Sequence, residues 1–241
     1  MRFPPARSTH LPAARSDRDG IHRPPDLDDY EVSSKSPVVP ATPAADVELK
    51  GCEVAQSLAA LFTGFTRPWY VAGGWALDLF LGRATRVHND IDVAVYRDDQ
   101  HELRNHLAGW RFQKVVKRGS LVREAWDGNE LLALPVHEVH ALSPRGNLEL
   151  EVLLNESSGE NWVFRRNPAV RLARSSMGRL AQSRVPYLTP EVVLLYKSGH
   201  PSAVDEADFA IACRSLDINQ RHWLAGALGV CYPGHHWLSA L

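Results

Sequence analysis

Residues 72–92 read AGGWALDLFLGRATRVHNDID, and this stretch joins two patterns. The glycine pair Gly73 and Gly74 precedes an almost wholly apolar segment that predicts a short buried helix, and a basic turn then leads to Asp90 and Asp92. Glycines at a strand-to-helix junction let an anion approach backbone N–H groups at a positive helix terminus. Two carboxylates on one face of a strand can converge on a cation such as Mg²⁺. The stretch therefore predicts adjoining anion and cation sites.

A third acid strengthens this interpretation, because an Asp-X-Asp motif alone also fits a solvated strand end. The segment LELEVLLNE alternates as a strand, and a PRGN turn joins it to VHALS in a predicted hairpin. Glu151 lies on that strand and would add a third carboxylate, as a metal ligand or as a general base, to a site for a nucleoside triphosphate. Glu149 stays open as the alternative, because a register shift of two residues exchanges the two acids.

The chain divides into three predicted parts. Residues 1–45 hold eight of the sixteen prolines and little apolar periodicity, so we expect a disordered tail, with a wrongly assigned start codon as the competing explanation. Residues 46–183 predict an α+β catalytic domain in which helices flank a mixed sheet. Residues 184–241 predict a small C-terminal helical domain, in which Thr189 and Asp217 cap two of three helices.

Composition excludes several classes of protein. Lys plus Arg total 27 against 28 for Asp plus Glu, so no global field draws the chain to nucleic acid or to an anionic membrane. The three cysteines are far apart and lack CxxC spacing, which argues against a disulfide framework and a zinc site. No apolar run approaches the roughly 20 residues that cross a bilayer. We expect a cytoplasmic protein without a membrane partner.

The segment GGWALDLFLGRATRVHNDIDVAVY closely resembles the signature of aminoglycoside and lincosamide nucleotidyltransferases, especially the aminoglycoside 2''-adenylyltransferase-like family of the polymerase-beta-type superfamily. Residues 72–74 and 90–92 match the superfamily's glycine and aspartate positions. The closer family also matches a tryptophan, an internal acid and a basic segment, which are here Trp75, Asp78, Arg83, Thr85, Arg86 and His88. The resemblance extends more loosely through WVFRR, VPYLTPEVVLLYK and DEADF.

The resemblance implies a nucleotidyltransferase fold and a Mg²⁺-dependent reaction, with two ions expected. AMP from ATP, or another nucleoside monophosphate, would pass to a hydroxyl of a small molecule, with an aminoglycoside-like antibiotic as the leading analogy, and pyrophosphate would leave. Asp90, Asp92 and Glu151 would bind metal. Such enzymes commonly carry aspartate at the third position, so Glu151 is a departure that leaves its role open between base and metal ligand.

The same resemblance implies contacts to the triphosphate from Gly73, Gly74, Arg86, His88 and Lys197. For each charged residue an ordinary solvated position is the competing interpretation. Asp205 and Asp208 match the acidic segment that follows the lysine, where they could position it or serve no catalytic role. Trp75 is expected to pack rather than stack on a base.

Two other functions fit the same residues. A toxin-like transferase could modify RNA or a protein, although the near-neutral charge argues against RNA. A nucleotide-binding sensor could have lost its chemistry through the change at Glu151. The HEVH segment at 137–140 resembles a zinc-protease motif only superficially, since its histidines are three apart rather than four.

Overall fold

The computed structural model describes residues 44–117 and 122–241. The predicted tail lies outside the described residues except for its last two positions, Ala44 and Ala45, which begin a helix. Residues 120 and 121 of the predicted strand SLVREAW also lie outside them. Among the described residues, no helix combines the length and apolar character needed to span a bilayer.

The described residues form six α-helices and ten strands. The helices are α1 Ala44–Leu61, α2 Gly73–Leu81, α3 Gln100–His106, α4 Pro190–Lys197, α5 Ala203–Ala212 and α6 Ile218–Cys231. The strands are β1 Trp69–Val71, β2 Asp92–Tyr96, β3 Arg111–Lys117, β4 Val122–Ala125, β5 Glu138–Leu142, β6 Glu149–Ser158, β7 Asn161–Val163, β8 Arg171–Ala173, β9 Gly178–Leu180 and β10 Pro186–Leu188.

The strands form a mixed sheet, as the sequence predicted. Its order is β4-β3-β5-β6-β2-β1-β10-β9, with β7 and β8 extending from β6. The pairs β2–β6 and β1–β10 are parallel, whereas the other pairs are antiparallel. Residues 93–96 of β2 are all buried, so both faces of this central strand are covered. The mixed sheet with flanking and C-terminal helices confirms the predicted α+β class.

Helix α2 is positioned by glycines at both ends. Gly73 begins the helix with φ +58°, and Gly82 ends it in the left-handed conformation, where its N–H donates to the carbonyl oxygen of Asp78. Residues 74–78 are buried, and the helix contacts α4 and α5. The C-terminal helices therefore pack directly on the helix that follows the glycine pair.

The predicted helix starts are confirmed in position, although the capping bonds differ. The Asp217 carboxylate accepts from the Gln220 N–H in a reciprocal capping box. Thr189 precedes α4 but makes no capping bond, and its hydroxyl donates to Glu191 at 2.6 Å. A 3₁₀ turn over residues 97–99 leads into α3, and the Asp99 side chain makes no capping hydrogen bond there.

The sequence missed strands β7–β10, which are only three residues long and too short for their alternation to stand out. The last of them, β10, pairs with β1 and lies C-terminal to residue 183. The main sheet thus continues past the predicted boundary between the two domains. The division at 183 stays a prediction.

Candidate active site

A row of three side chains crosses the centre of the sheet. Asp92 on β2 pairs in register with Glu151 on β6, and Glu151 pairs in turn with His140 on β5. Residues that lie directly opposite one another on paired strands project from the same face. The register therefore brings Glu151 beside Asp92. Glu149 lies opposite Leu142 instead, and its carboxylate binds Arg123 at 2.8 Å. The register favours Glu151, and the choice between the two acids stays a prediction.

Asp90 lies just before β2 rather than within it. The strand was predicted to begin at Asp90, but it begins at Asp92. The reason is a competing hydrogen bond, because the indole N–H of Trp75 donates to the backbone carbonyl of Asp90 at 3.0 Å. Trp75 is 8% exposed and packs tilted against the His88 ring, with centroids 4.4 Å apart. It is a packing residue, as expected, and it also fixes the backbone that carries Asp90.

The two glycines make room for side chains from the second half of the same stretch. A Cβ at Gly73 would lie 1.9 Å from the carboxylate oxygen Oδ2 of Asp92. A Cβ at Gly74 would lie 2.3 Å from Nδ1 of His88 and 2.6 Å from a guanidinium nitrogen of Arg86. Any larger residue would displace these groups. The predicted approach of phosphate to this backbone stays a prediction.

Asp78 organises the loop between α2 and β2. Its carboxylate accepts from the backbone N–H of Thr85 at 3.0 Å and from the Thr85 hydroxyl at 2.5 Å. Its other oxygen lies 2.6 Å from Nε2 of His88, whose side chain is only 2% exposed. A buried acid needs such partners to offset its lost hydration. Asp78, the acid within the apolar helix, therefore fixes the conformation of this loop through Thr85 and His88.

Asp208 on α5 joins the basic residues of two different elements. Its carboxylate accepts two hydrogen bonds from the Arg86 guanidinium, each 3.0 Å, and lies 3.0 Å from Nζ of Lys197 on α4. Lys197 also binds Asp205 at 2.6 Å. The structure thus brings Arg86 and Lys197 together through one acid, and it leaves their contact with triphosphate as a prediction.

Burial and charge shift the pKa values of this cluster. Burial alone would raise the pKa of Asp208, but hydrogen bonds and charges from Arg86 and Lys197 outweigh it and lower that pKa. Burial opposes the charge of Lys197, yet Asp208 and Asp205 raise its pKa above the ordinary value. Burial likewise opposes the charge of Arg86, and its pKa still rises because the hydrogen bond and charge of Asp208 outweigh that effect. The cluster therefore stays ionised at neutral pH.

The sequence missed a histidine beside the predicted acids. His140 is 3% exposed, and its Nε2 and Nδ1 atoms lie 2.9 Å from the carboxylates of Glu138 and Glu149. Burial acts to lower the pKa of His140, but the hydrogen bond to Glu138 and the charge of Glu151 raise it overall. Its signal was present in the sequence, since Glu138 and His140 share a strand face and the predicted hairpin turn places His140 opposite Glu151.

The donor chemistry fits a hard divalent cation. Asp92 and Glu151 are neighbouring carboxylates on paired strands. Asp90 lies two residues before Asp92, and its backbone carbonyl accepts the indole N–H of Trp75. Carboxylate oxygens are the ligands that Mg²⁺ takes in proteins, with water and phosphate completing its shell. Within the described residues, however, a different group of three side chains converges. One ligand atom each from Glu138, His140 and Glu151 lies within 4.8 Å of the other two. The set of Asp90, Asp92 and Glu151 stays a predicted metal site.

Comparison with solved structures shows similar proteins at low identity. The chain is 18% identical to ANT(2'')-Ia in complex with adenylyl-2''-tobramycin, with 76% of this chain and 98% of that chain covered at a TM-score of 0.49. It is 17% identical to the lincomycin-bound lincosamide antibiotic adenylyltransferase LnuA, with 68% and 94% covered at a TM-score of 0.45.

Comparison of sequences identifies relatives of this chain and its family. The chain is 39% identical over 67 residues to a 2''-aminoglycoside nucleotidyltransferase of Escherichia coli and, to the same extent, to one of Klebsiella pneumoniae. The matched segment is 27% of this chain and spans only 36% of each relative's own length. The aminoglycoside-2''-adenylyltransferase family matches residues 54–212, which are more than half of the chain and contain the glycine pair, the carboxylates and the Asp208 cluster. The chain belongs to the aminoglycoside-2''-adenylyltransferase family.

Proposed function

We propose that this protein transfers a nucleoside monophosphate from a nucleoside triphosphate, most simply AMP from ATP, to a hydroxyl of a small molecule and releases pyrophosphate. The observation that carries the proposal is the placement of Asp92, whose carboxylate lies against Gly73 at the start of α2 and beside Glu151 on β6. The membership of the adenylyltransferase family supports the same reaction. An aminoglycoside-like antibiotic is the acceptor that the family suggests.

The three carboxylates would have different chemical roles in the transfer. Asp90 and Asp92 would hold Mg²⁺, and Glu151 would either complete the metal site or accept the proton of the attacking hydroxyl. Bound Mg²⁺ would neutralise phosphate charge and polarise the phosphorus that is attacked. Trp75 supports this arrangement by fixing the carbonyl of Asp90. The chain's own contribution is to orient the acids before substrate arrives.

The basic residues would bind the triphosphate. Arg86 and Lys197 are held on one acid, Asp208, so their charges are already ordered at the junction of the loop and the C-terminal helices. An ordered cation loses less conformational freedom when it binds phosphate. His88 would assist indirectly, because Asp78 holds its ring against Gly74 and thereby shapes the loop.

The test is a screen of radiolabelled nucleoside triphosphates against pools of hydroxylated small molecules, aminoglycosides and lincosamides included, with Mg²⁺ present. We expect transfer of label from one preferred donor to one acceptor class, with stoichiometric pyrophosphate. A tRNA pool and a protein extract serve as parallel acceptors. Label on RNA or protein would favour the toxin-like transferase, and nucleotide binding without pyrophosphate release in any pool would favour a sensor.

A further inference from the structure

A second group of metal-ligating side chains adjoins the predicted site but differs from it in chemistry. Glu138 and His140 lie two residues apart on β5, and Glu151 lies opposite His140 on β6. One ligand atom from each of the three lies within 4.8 Å of the other two. Strand alternation and the antiparallel register, rather than a flexible loop, set this convergence. The three groups are thus held together by the sheet itself.

The histidine in this group is oriented by an acid outside it. Nδ1 of His140 lies 2.9 Å from Oε1 of Glu149, whereas Nε2 faces Glu138 at 2.9 Å. Metal-binding histidines typically donate one ring N–H to a carboxylate, which fixes the tautomer and directs the other nitrogen to the metal. Glu149 is itself held by Arg123 at 2.8 Å. His140 therefore has the outer carboxylate that such a ligand requires, and it is 3% exposed.

We propose that Glu138, His140 and Glu151 form a binding site for a divalent transition-metal ion such as Zn²⁺, Co²⁺ or Mn²⁺. One imidazole nitrogen and two carboxylates suit these ions, whereas Mg²⁺ favours oxygen ligands alone. A cation there would replace the contact between His140 and Glu138 with two metal bonds. The proposal goes beyond the transferase reaction, since binding at this site requires neither nucleotide nor acceptor.

Glu151 belongs to both proposed metal sites. Glu151 lies between His140 on one neighbouring strand and Asp92 on the other. A transition-metal ion bound with His140 would therefore engage an acid that the proposed Mg²⁺ site also uses. The two sites would share this carboxylate, and the identity of the bound ion would determine whether Glu151 binds metal together with His140 or together with Asp92.

The experiment is a titration of the tag-free, chelator-treated full-length protein with Co²⁺, followed by the visible absorption of the bound ion in excess Mg²⁺. We expect one Co²⁺ per chain, displaced by Zn²⁺. Glu138→Gln and His140→Gln should each weaken binding by at least about 10-fold, the lower range for loss of even an outer partner. His236→Gln is the matched control, because His236 also lies 2.8 Å from a glutamate but its side chain is 63% exposed.

Two outcomes would overturn the proposal. These are the absence of Co²⁺ absorption, or Co²⁺ binding that is unchanged in Glu138→Gln. Thermal unfolding of each variant shows whether it still folds. If His140→Gln does not fold, Co²⁺ binding by Glu138→Gln tests the proposal, because the Glu138 side chain is more exposed, at 15%. Asp90→Asn separates the two proposals, since it should retain Co²⁺ affinity while losing pyrophosphate release.

Discussion

The carboxylate of Asp92 occupies the space that a side chain at residue 73 would need, so Gly73 and Asp92 form one structural unit although 18 residues separate them. A Cβ on Gly73 would lie 1.9 Å from Oδ2 of Asp92, and the φ of +58° is itself unfavourable for any residue with a side chain. The glycine and the aspartate of the signature are therefore linked by packing before any ligand binds.

Gly73→Ala is expected to abolish most of the proposed transferase activity, because the new methyl group displaces the Asp92 carboxylate. The matched control is Gly82→Ala, since Gly82 has φ +66° and a methyl group there would meet nothing within 4 Å. Both variants should lose about 1–2 kcal/mol of unfolding free energy from the left-handed backbone. Rates of pyrophosphate release would separate them, and equal activity in the two variants would contradict the steric account.

Trp75→Phe is expected to lower activity while retaining most of the packing. The change removes the indole N–H that donates to the Asp90 carbonyl and costs about 1 kcal/mol of unfolding free energy. Trp223→Phe is the control, because its N–H also donates to a backbone carbonyl, that of Arg171, at 3.2 Å. Denaturant unfolding and initial rates measure both variants. A loss of activity that is the same in each would show that Trp75 has no special role beside Asp90.

Asp208→Asn is expected to destabilise the protein at pH 7 by about 3 kcal/mol, because it leaves Arg86 and Lys197 partly buried without their shared acid. Glu102→Gln removes an acid from an exposed pair with Arg67 and should cost less than about 1 kcal/mol. Urea unfolding at matched pH measures both, and equal losses in the two variants would contradict the importance given to the Asp208 cluster.

The same variant tests the pH dependence. The folded-state pKa of Asp208 is lowered, so its stabilising effect is present above the unfolded-state pKa, about 3.9, and is lost as pH falls through the folded-state value. The stability difference between wild type and Asp208→Asn should therefore be constant near neutral pH and shrink in acid. A difference that grew as pH fell below about 4 would contradict this assignment.

Particular residues show how far the sequence could predict the structure. The fold class followed from clear periodicity, and the predicted hairpin has Glu151 on its second strand, which is β6 in the structure. The Arg86–Asp208 pair spans 122 residues, and no local pattern encodes such a distance. His140 escaped notice because HEVH was compared with a helical motif, whereas on a strand its Glu138 and His140 share a face. The cytoplasmic location, the number of Mg²⁺ ions and the domain boundary stay predictions.

The central claim is that Asp90 and Asp92 hold the metal for nucleotidyl transfer, and the most direct measurement is Mg²⁺-dependent pyrophosphate release by Asp90→Asn and Asp92→Asn with the identified donor and acceptor. Each variant should fold with wild-type cooperativity and lose more than about 100-fold in rate, the upper range for loss of an outer metal partner. Asp98→Asn, at an exposed acid beyond β2, should keep its rate. Near-wild-type pyrophosphate release by either Asp90→Asn or Asp92→Asn would contradict the account.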